Sequence, residues 1–378
     1  MRWNELRIHP DAPHGPDAPR GPDAPGDPDA LGGKAAGRTA ARPAAPALFE
    51  RGAITRSFDT PGFRGMTFFE VHARSVINRV PDSSRVPFRW TINPYRGCSH
   101  ACAYCFARNS HTYLDLDAGH DFDSKIVVKV NAPDLVRKEL NAPKWQGEHI
   151  AMGTNVDVYQ RAEGKYRLMP GILQALLDAR NPYSILTKGT LILRDLDLLL
   201  ASAEVTDVGL SVSVGCADED LWRTLESGTP SPRRRLGVCA TLSENGLRCG
   251  VLMGPVVPFL SDSPAQLEAA VSQAAAAGAV HVTPIVLHLR PGAREWFLGW
   301  LREAHPELVP RYAELYGRGA YARKDYQARI TGQVHDLADR FGVGRNATRM
   351  GRTAPRGRGG AAGRQRPPGP QHEQLELL

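Results

Sequence analysis

Short apolar runs alternating with helical patterns between residues 88 and 288 constrain this chain more than any other feature of its sequence. "FRWTI" (88–92), "EHIAMG" (148–153), "YSILTK" (183–188), "DVGLSVSV" (207–214), "CGVLMGPVV" (249–257) and "VHVTPIVLH" (280–288) read as buried strands. Helical stretches lie between them at 133–141, 168–180, 193–203, 232–246 and 264–277. Such repeated alternation predicts an α/β fold with a parallel sheet and right-handed crossovers, either open or curled into a partial barrel. In folds of this kind the chemistry gathers at the carboxyl ends of the strands.

At 378 residues with 42% hydrophobic content, the chain can build one large domain carrying tails. Residues 10–48 hold a fading Pro-Asp-Ala-Pro repeat and then Ala, Arg and Pro, which have almost nothing to bury, so 1–48 is expected to be a disordered leader. Residues 49–84 are expected to form an N-terminal extension packed on the core, and 85–342 the core with a C-terminal helical cap. The remainder, 343–378, turns to Arg, Gly and Pro and is expected to be a disordered tail. That tail has seven Arg and no Lys against two Glu, a net of +5 within the chain's formal +7. The basic surplus therefore belongs to the tail, and net charge does not support a nucleic-acid face on the body. No stretch approaches the roughly 18 to 20 uncharged apolar residues of a membrane span. The start "MRWNELRIHPDAP" also lacks the apolar core of a signal peptide. A cytoplasmic protein without membrane contact is expected, in a compartment where clustered cysteines hold metal more often than they form disulfides.

The loop after the first strand, "NPYRGCSHACAYCFAR" (93–108), packs Cys98, Cys102 and Cys105 into the pattern Cys-x3-Cys-x2-Cys. A structural zinc site closes its tetrahedron with four ligands, and a ferredoxin cluster also needs four thiolates. The other cysteines, Cys216, Cys239 and Cys249, lie more than a hundred residues on and form no Cys-x2-Cys pair. His100 could serve as a fourth ligand only if the loop folded back tightly. Three thiolates on a cuboidal iron–sulfur cluster leave one iron without a protein ligand, and an open position is what a site that binds substrate or cofactor requires. The trio favours that cluster, with zinc or chance spacing as the alternatives.

This spacing, with aromatic Tyr104 before the last cysteine, resembles the signature of the radical S-adenosylmethionine (SAM) enzymes. The resemblance implies a partial (βα)6 TIM-type barrel. It also implies a 4Fe–4S cluster on Cys98, Cys102 and Cys105 whose fourth iron chelates SAM. The reduced cluster of that family cleaves SAM to a 5'-deoxyadenosyl radical that takes hydrogen from a substrate, with an electron donor such as flavodoxin or ferredoxin. "GTNVDVYQRAE" (153–163), "ILTKGTLILRDLDLL" (185–199), "LESGTPSPRRRLG" (225–237) and "PVVPFLSD" (255–262) resemble blocks of the branch related to spore photoproduct lyase. By that resemblance Gly153, Thr154 and Asn155 would meet the methionyl amino group. Lys188 would meet the carboxylate or ribose, Ser211 or Ser213 would follow on the fourth strand, and Tyr104 would pack on adenine. The plain alternative makes Lys188 a solvated strand-end charge and the serines ordinary strand residues. Some members read "GTNTDPYQ" where this chain has "GTNVDVYQ", so Val156 and Val158 remove a hydroxyl and a rigid turn residue.

The lyases also carry a hydrogen-returning cysteine in a stretch resembling Cys-Thr-Ser-Asp, matched here by Gly153-Thr154-Asn155. Cys216 could substitute as hydrogen donor or, like Cys239 and Cys249, be a small buried hydrophobe. On the substrate side, His288 and Arg290 end the sixth strand, where the arginine could grip a phosphate or carboxylate and the histidine could move protons. Trp296, Phe297 and Trp300 fall at helical spacing and read as core, while Arg161 and Glu163 read as an ion pair or as pocket lining. The terminal "QLELL" (374–378) resembles the short peptide by which DNA-processing proteins dock on the sliding clamp, and behind the Arg/Gly tail it would tether the chain to DNA; the alternative is a frayed terminus. The substrate, possible nucleic acid included, is not specified by the sequence. A non-enzymatic metal-stabilised DNA-binding protein is the competing reading.

Overall fold

The expected parallel sheet is present in the computed structural model of the chain, which describes residues 53–84 and 86–344 and the two short strands Leu6–Arg7 and Arg352–Thr353. Its strands are β1 (Trp90–Ile92), β2 (Ile150–Met152), β3 (Tyr183–Thr187), β4 (Val208–Ser213), β5 (Cys249–Val256) and β6 (Val282–Val286). Each lies parallel to the one before it. Neighbours in space are therefore neighbours in sequence, the order in which successive right-handed crossovers lay down a barrel. The row ends at β6 on one side. On the other it gains the antiparallel strand Ile77–Arg79 beside β1, and among the described residues the two ends do not pair. The result is a partial barrel.

The crossover helices form where their local chemistry dictates. They are α1 (Ala132–Leu140), α2 (Leu168–Asp178), α3 (Leu196–Val205), α4 (Pro232–Glu244) and α5 (Pro264–Ala276). In α4 and α5 a serine N-cap, Ser231 or Ser263, precedes a proline at the first helical position, where the missing N–H costs nothing. Ser263 and Gln266 form a reciprocal capping box. Along β3, Tyr183, Ile185 and Thr187 are buried while Ser184 and Leu186 are only partly so, the alternation of a strand packed more tightly on one face.

One feature lies outside the expected elements. Thr67–Ala73 pairs in parallel with Lys125–Lys129 and antiparallel with Ile54–Arg56, and Tyr95–Arg96 joins the far edge. This smaller sheet sits against the barrel, to whose core it sends Met66 and Phe68. At the C-terminal end, helices α6 (Ala293–Ala304) and α7 (Lys324–Arg340) complete the body, with α7 against α5 and β6. The body also runs past the expected boundary at 342. Val343 is buried, and its carbonyl accepts the Val282 N–H at 3.3 Å. Apart from Leu6–Arg7, which pairs antiparallel with Thr67–Ala73 inside the stretch expected to be disordered, the leader over 1–48 lies outside the described residues, as do nearly all of the Arg/Gly/Pro tail and the clamp-like peptide. Among those described, no helix is long and apolar enough to cross a membrane.

Candidate active site

The carboxyl ends of β2 to β6 and the cysteine loop that follows β1 surround one cavity of about 620 Å³. Cys98, Cys102 and Cys105 all line it, although only Cys105 is more than marginally exposed. The loop that carries them is held by protein groups. The Cys98 N–H donates to Phe122 O at 2.9 Å, and the Ala103 N–H donates to Leu225 O at 2.9 Å. Arg108, fully buried, donates to Cys102 O at 3.0 Å and Gly119 O at 2.9 Å and pairs with Asp123 at 2.9 Å. Its guanidinium lies 4.7 Å from the Trp296 ring of α6, so that tryptophan braces the loop and is not simply barrel core. Gly228 comes so close that a Cβ there would stand 2.2 Å from Ser99 O, and its N–H donates to His100 O.

Burial pushes all three thiols up from their ordinary range, with Asp157 adding to the rise at Cys98 and Glu226 at Cys102. Thiols in this setting ionise only against a strongly positive partner, which metal coordination supplies. Among the described residues no group of His, Cys, Asp and Glu side chains is arranged to hold a single metal ion. The three thiols, all facing one cavity, are the donors available there for a metal centre. His100 lines the cavity too, with its Nδ1 3.4 Å from Asp157 Oδ2.

The strand ends supply the other lining groups. Gly153, just past β2, has φ +78°, and a Cβ there would stand 1.8 Å from Leu186 O of the neighbouring strand. Only glycine fits this crossing. Thr154 and Asn155 line the cavity, and among the described residues their side chains make no hydrogen bond. Asp157 ties this turn to β3, accepting from Thr187 Oγ1 at 2.6 Å and from the Lys188 N–H at 2.6 Å. Gln160 ties it to the cysteine loop, accepting the Ser99 N–H and donating to Gly97 O, each at 2.9 Å.

Lys188 is not a solvated strand-end charge. Its Nζ donates to Ser213 Oγ at 2.5 Å and lies 3.3 Å from Glu226 Oε1. Glu226 is buried, pairs with the equally buried Arg235 at 2.5 Å, and accepts the Tyr104 hydroxyl. Although burial opposes it, Arg235 and then Lys188 hold the Glu226 carboxyl down to about 2. Tyr104, Lys188 and Ser213 thus form one network on the cavity wall.

Two candidates require correction. Ser211 does not line the cavity, because it stands two residues, roughly 7 Å, deeper along β4 than Ser213. Cys216 does not line it either. Its Sγ turns to Asp218 O at 3.6 Å, and burial first, then Glu226, pushes the thiol up to about 12. Glu163 proves to be a structural anchor, fully buried and paired with Arg194 at 2.6 Å, while Arg161 reaches toward Gly62 O instead. His288 and Arg290 do line the cavity. Sequence reasoning missed Asp157, Gln160, Glu226, Arg235 and Arg108. The first four stand inside the blocks 153–163 and 225–237, where their immediate neighbours do not mark them out.

The model of the radical SAM superfamily matches residues 92–267. An uncharacterised protein of Mycobacterium tuberculosis is 49% identical over 292 residues, covering 77% of this chain and 86% of that protein. One from Methanocaldococcus jannaschii is 33% identical over 174 residues, 46% of this chain and 62% of that protein. Spore photoproduct lyase complexed with dinucleoside spore photoproduct superposes with a TM-score of 0.55 at 15% identity, covering 72% of this chain and 79% of that one, a likeness of fold.

Proposed function

Since the chain belongs to the radical SAM superfamily, we propose that it is an enzyme that cleaves SAM on a cluster held by Cys98, Cys102 and Cys105 and uses the resulting radical to take hydrogen from a substrate. The observation that carries this reading is that the three cysteines line the same cavity as Gly153, Thr154, Asn155, Lys188 and Ser213. When bound, a 4Fe–4S cluster with one iron free of protein ligands would chelate the amino and carboxylate groups of SAM and, reduced through a carrier such as flavodoxin or ferredoxin, supply the electron that releases the 5'-deoxyadenosyl radical.

This chain's own residues bind and orient. Thr154 and Asn155 offer uncommitted hydrogen-bonding groups where the SAM amino group would lie, and the Gly153 turn brings the backbone close. Lys188, held by Ser213, Glu226 and, at 3.5 Å, Gly254 O, presents its ammonium charge to the carboxylate or ribose and would exchange the long Gly254 contact for it. Tyr104, anchored through its hydroxyl to Glu226, presents its ring for adenine. Because these groups already hold one another, little reorganisation is needed when SAM enters. Gly153-Thr154-Asn155 carries no cysteine and Cys216 lies outside the cavity, so the reading does not include a lyase-type cysteine hydrogen donor.

The test is anaerobic reconstitution with iron and sulfide, followed by metal and sulfide assay and detection of 5'-deoxyadenosine under reduction. The expected result is about four irons per chain and 5'-deoxyadenosine that disappears in C98A, C102A and C105A. Bound zinc in place of iron, or SAM cleavage indifferent to these cysteines, overturns it.

A further inference from the structure

The cavity has a second set of groups that the cluster and SAM do not use. At its outer end the turn after β6 carries His288 and Arg290, and the chain around them is tightly held. The Leu289 N–H donates to Ala320 O at 2.7 Å, His288 bridges to Tyr321, and the Arg294 N–H donates to Arg290 O at 2.8 Å. Arg290 lies over the Phe106 ring at 5.7 Å, one residue from the third cysteine. Its exposed guanidinium forms no ion pair among the described residues, and the nearby Glu295 carboxylate is turned to the Gly292 N–H at 2.6 Å. Burial, then the Arg290 charge, lowers His288 to about 4, so at neutral pH the arginine is the cation of this turn.

The same end of the cavity exposes two large aromatic side chains, Phe106 at 46% and Tyr321 at 40%. Exposed aromatics beside an uncommitted arginine recur where a flat group with an attached anion is bound, because ring faces take the flat part and the guanidinium fork takes the oxygens. The β5 and β6 part of the lining is largely apolar, with Leu252, Pro255, Ile285, Val286 and Leu287, so within that part Arg290 is the cation offered to an anion.

Resting on the proposed radical reading, we infer that the substrate of this cavity is a planar, largely apolar molecule bearing an oxyanion, phosphoester or carboxylate, which Arg290 grips while Phe106 and Tyr321 flank the flat part. Arg290 is then a positioning residue that selects the substrate by charge.

The test uses the reconstituted, SAM-loaded full chain and three probes, phenyl phosphate, benzoate and benzyl alcohol, titrated by calorimetry. At least one of the two anions should bind about tenfold or more tightly than the neutral alcohol. That preference should be lost in R290Q and largely retained in R290K and, as a check on the ring contact, weakened in F106A. Preference for phenyl phosphate assigns a phosphoester, and preference for benzoate assigns a carboxylate. Equal binding of all three probes, or an anion preference unchanged in R290Q, overturns the inference. Unmodified chain that cleaves SAM but shows no anion preference fails this site alone, whereas anion preference without SAM cleavage fails the radical reading.

Discussion

On the side of the cavity built by the ends of β2 to β4 and the cysteine loop, charge is dense and matched. Asp157, Lys188, Glu226 and Arg235 sum to zero, and each is tied to another strand or loop. On the side built by β5 and β6 the lining is largely aliphatic, and the guanidinium there, Arg290, forms no ion pair among the described residues. The first wall is rigid because breaking any contact leaves a buried charge unpaired, which is costly in low dielectric. The second is shaped by packing, and packing tolerates volume-conserving change.

The contrast can be broken most severely from the matched side. Glu226→Ala leaves Arg235 and Lys188 facing each other without their shared counterion, and should cost about 3–5 kcal/mol, lowering the midpoint of thermal unfolding by roughly 10 °C. Calorimetric or circular-dichroism melting checks this, and an unchanged midpoint would show that the network is ornamental. On the aliphatic side the counterpart is Leu287→Ala, at a residue that is 1% exposed, with an expected loss of about 2–4 kcal/mol. There the loss should appear in urea unfolding far more than in SAM affinity. Gly153→Ala sharpens the comparison without touching a charge. The new methyl meets the Leu186 carbonyl, the strand ends must part, and SAM affinity measured by equilibrium dialysis should fall about tenfold or more.

A smaller effect separates the walls by pH. His288 is held neutral in the fold, with its pKa lowered to about 4 from 6.5 by burial and then Arg290. The unfolded chain binds the proton first, so this group weakens the fold as pH falls from about 6.5 towards 4. The stability gap between the parent chain and His288→Asn should therefore shrink over that window, and a gap that stays constant would argue against the burial of this ring. The smallest effect is expected from Cys216→Ala, about 1 kcal/mol or less, with 5'-deoxyadenosine formation as in the parent chain. A substrate-derived radical that goes unquenched in Cys216→Ala, seen as altered products at unchanged 5'-deoxyadenosine, would restore the cysteine to the reaction.

The barrel was legible because its pattern is local. Each strand and helix carries its own period, and the expected segments match the observed ones to within two or three residues, as in 264–277 against Pro264–Ala276. The smaller sheet was not legible, since Thr67–Ala73 owes its place to pairing with Lys125–Lys129, more than fifty residues away. The same reason divides the site. Cysteine spacing and the turn Gly153-Thr154-Asn155 announce themselves within a few residues. The counterion of Lys188, by contrast, comes from the end of helix Glu219–Leu225, and that of Glu226 from α4. A glutamate followed by Ser-Gly-Thr looks in sequence like any solvated helix end.

Arg108 has a consequence for how the protein is assembled in the cell. It joins the Cys102 carbonyl, the Gly119 carbonyl, Asp123 and the Trp296 ring in one buried hub. On the proposed reading, the seat for iron and sulfide would be shaped by contacts within the chain itself, and loading would be a delivery step onto a loop those contacts already hold. Chains made faster than metal arrives should wait as folded protein, loadable later, and Arg108→Ala should turn that patience into dependence on prompt loading.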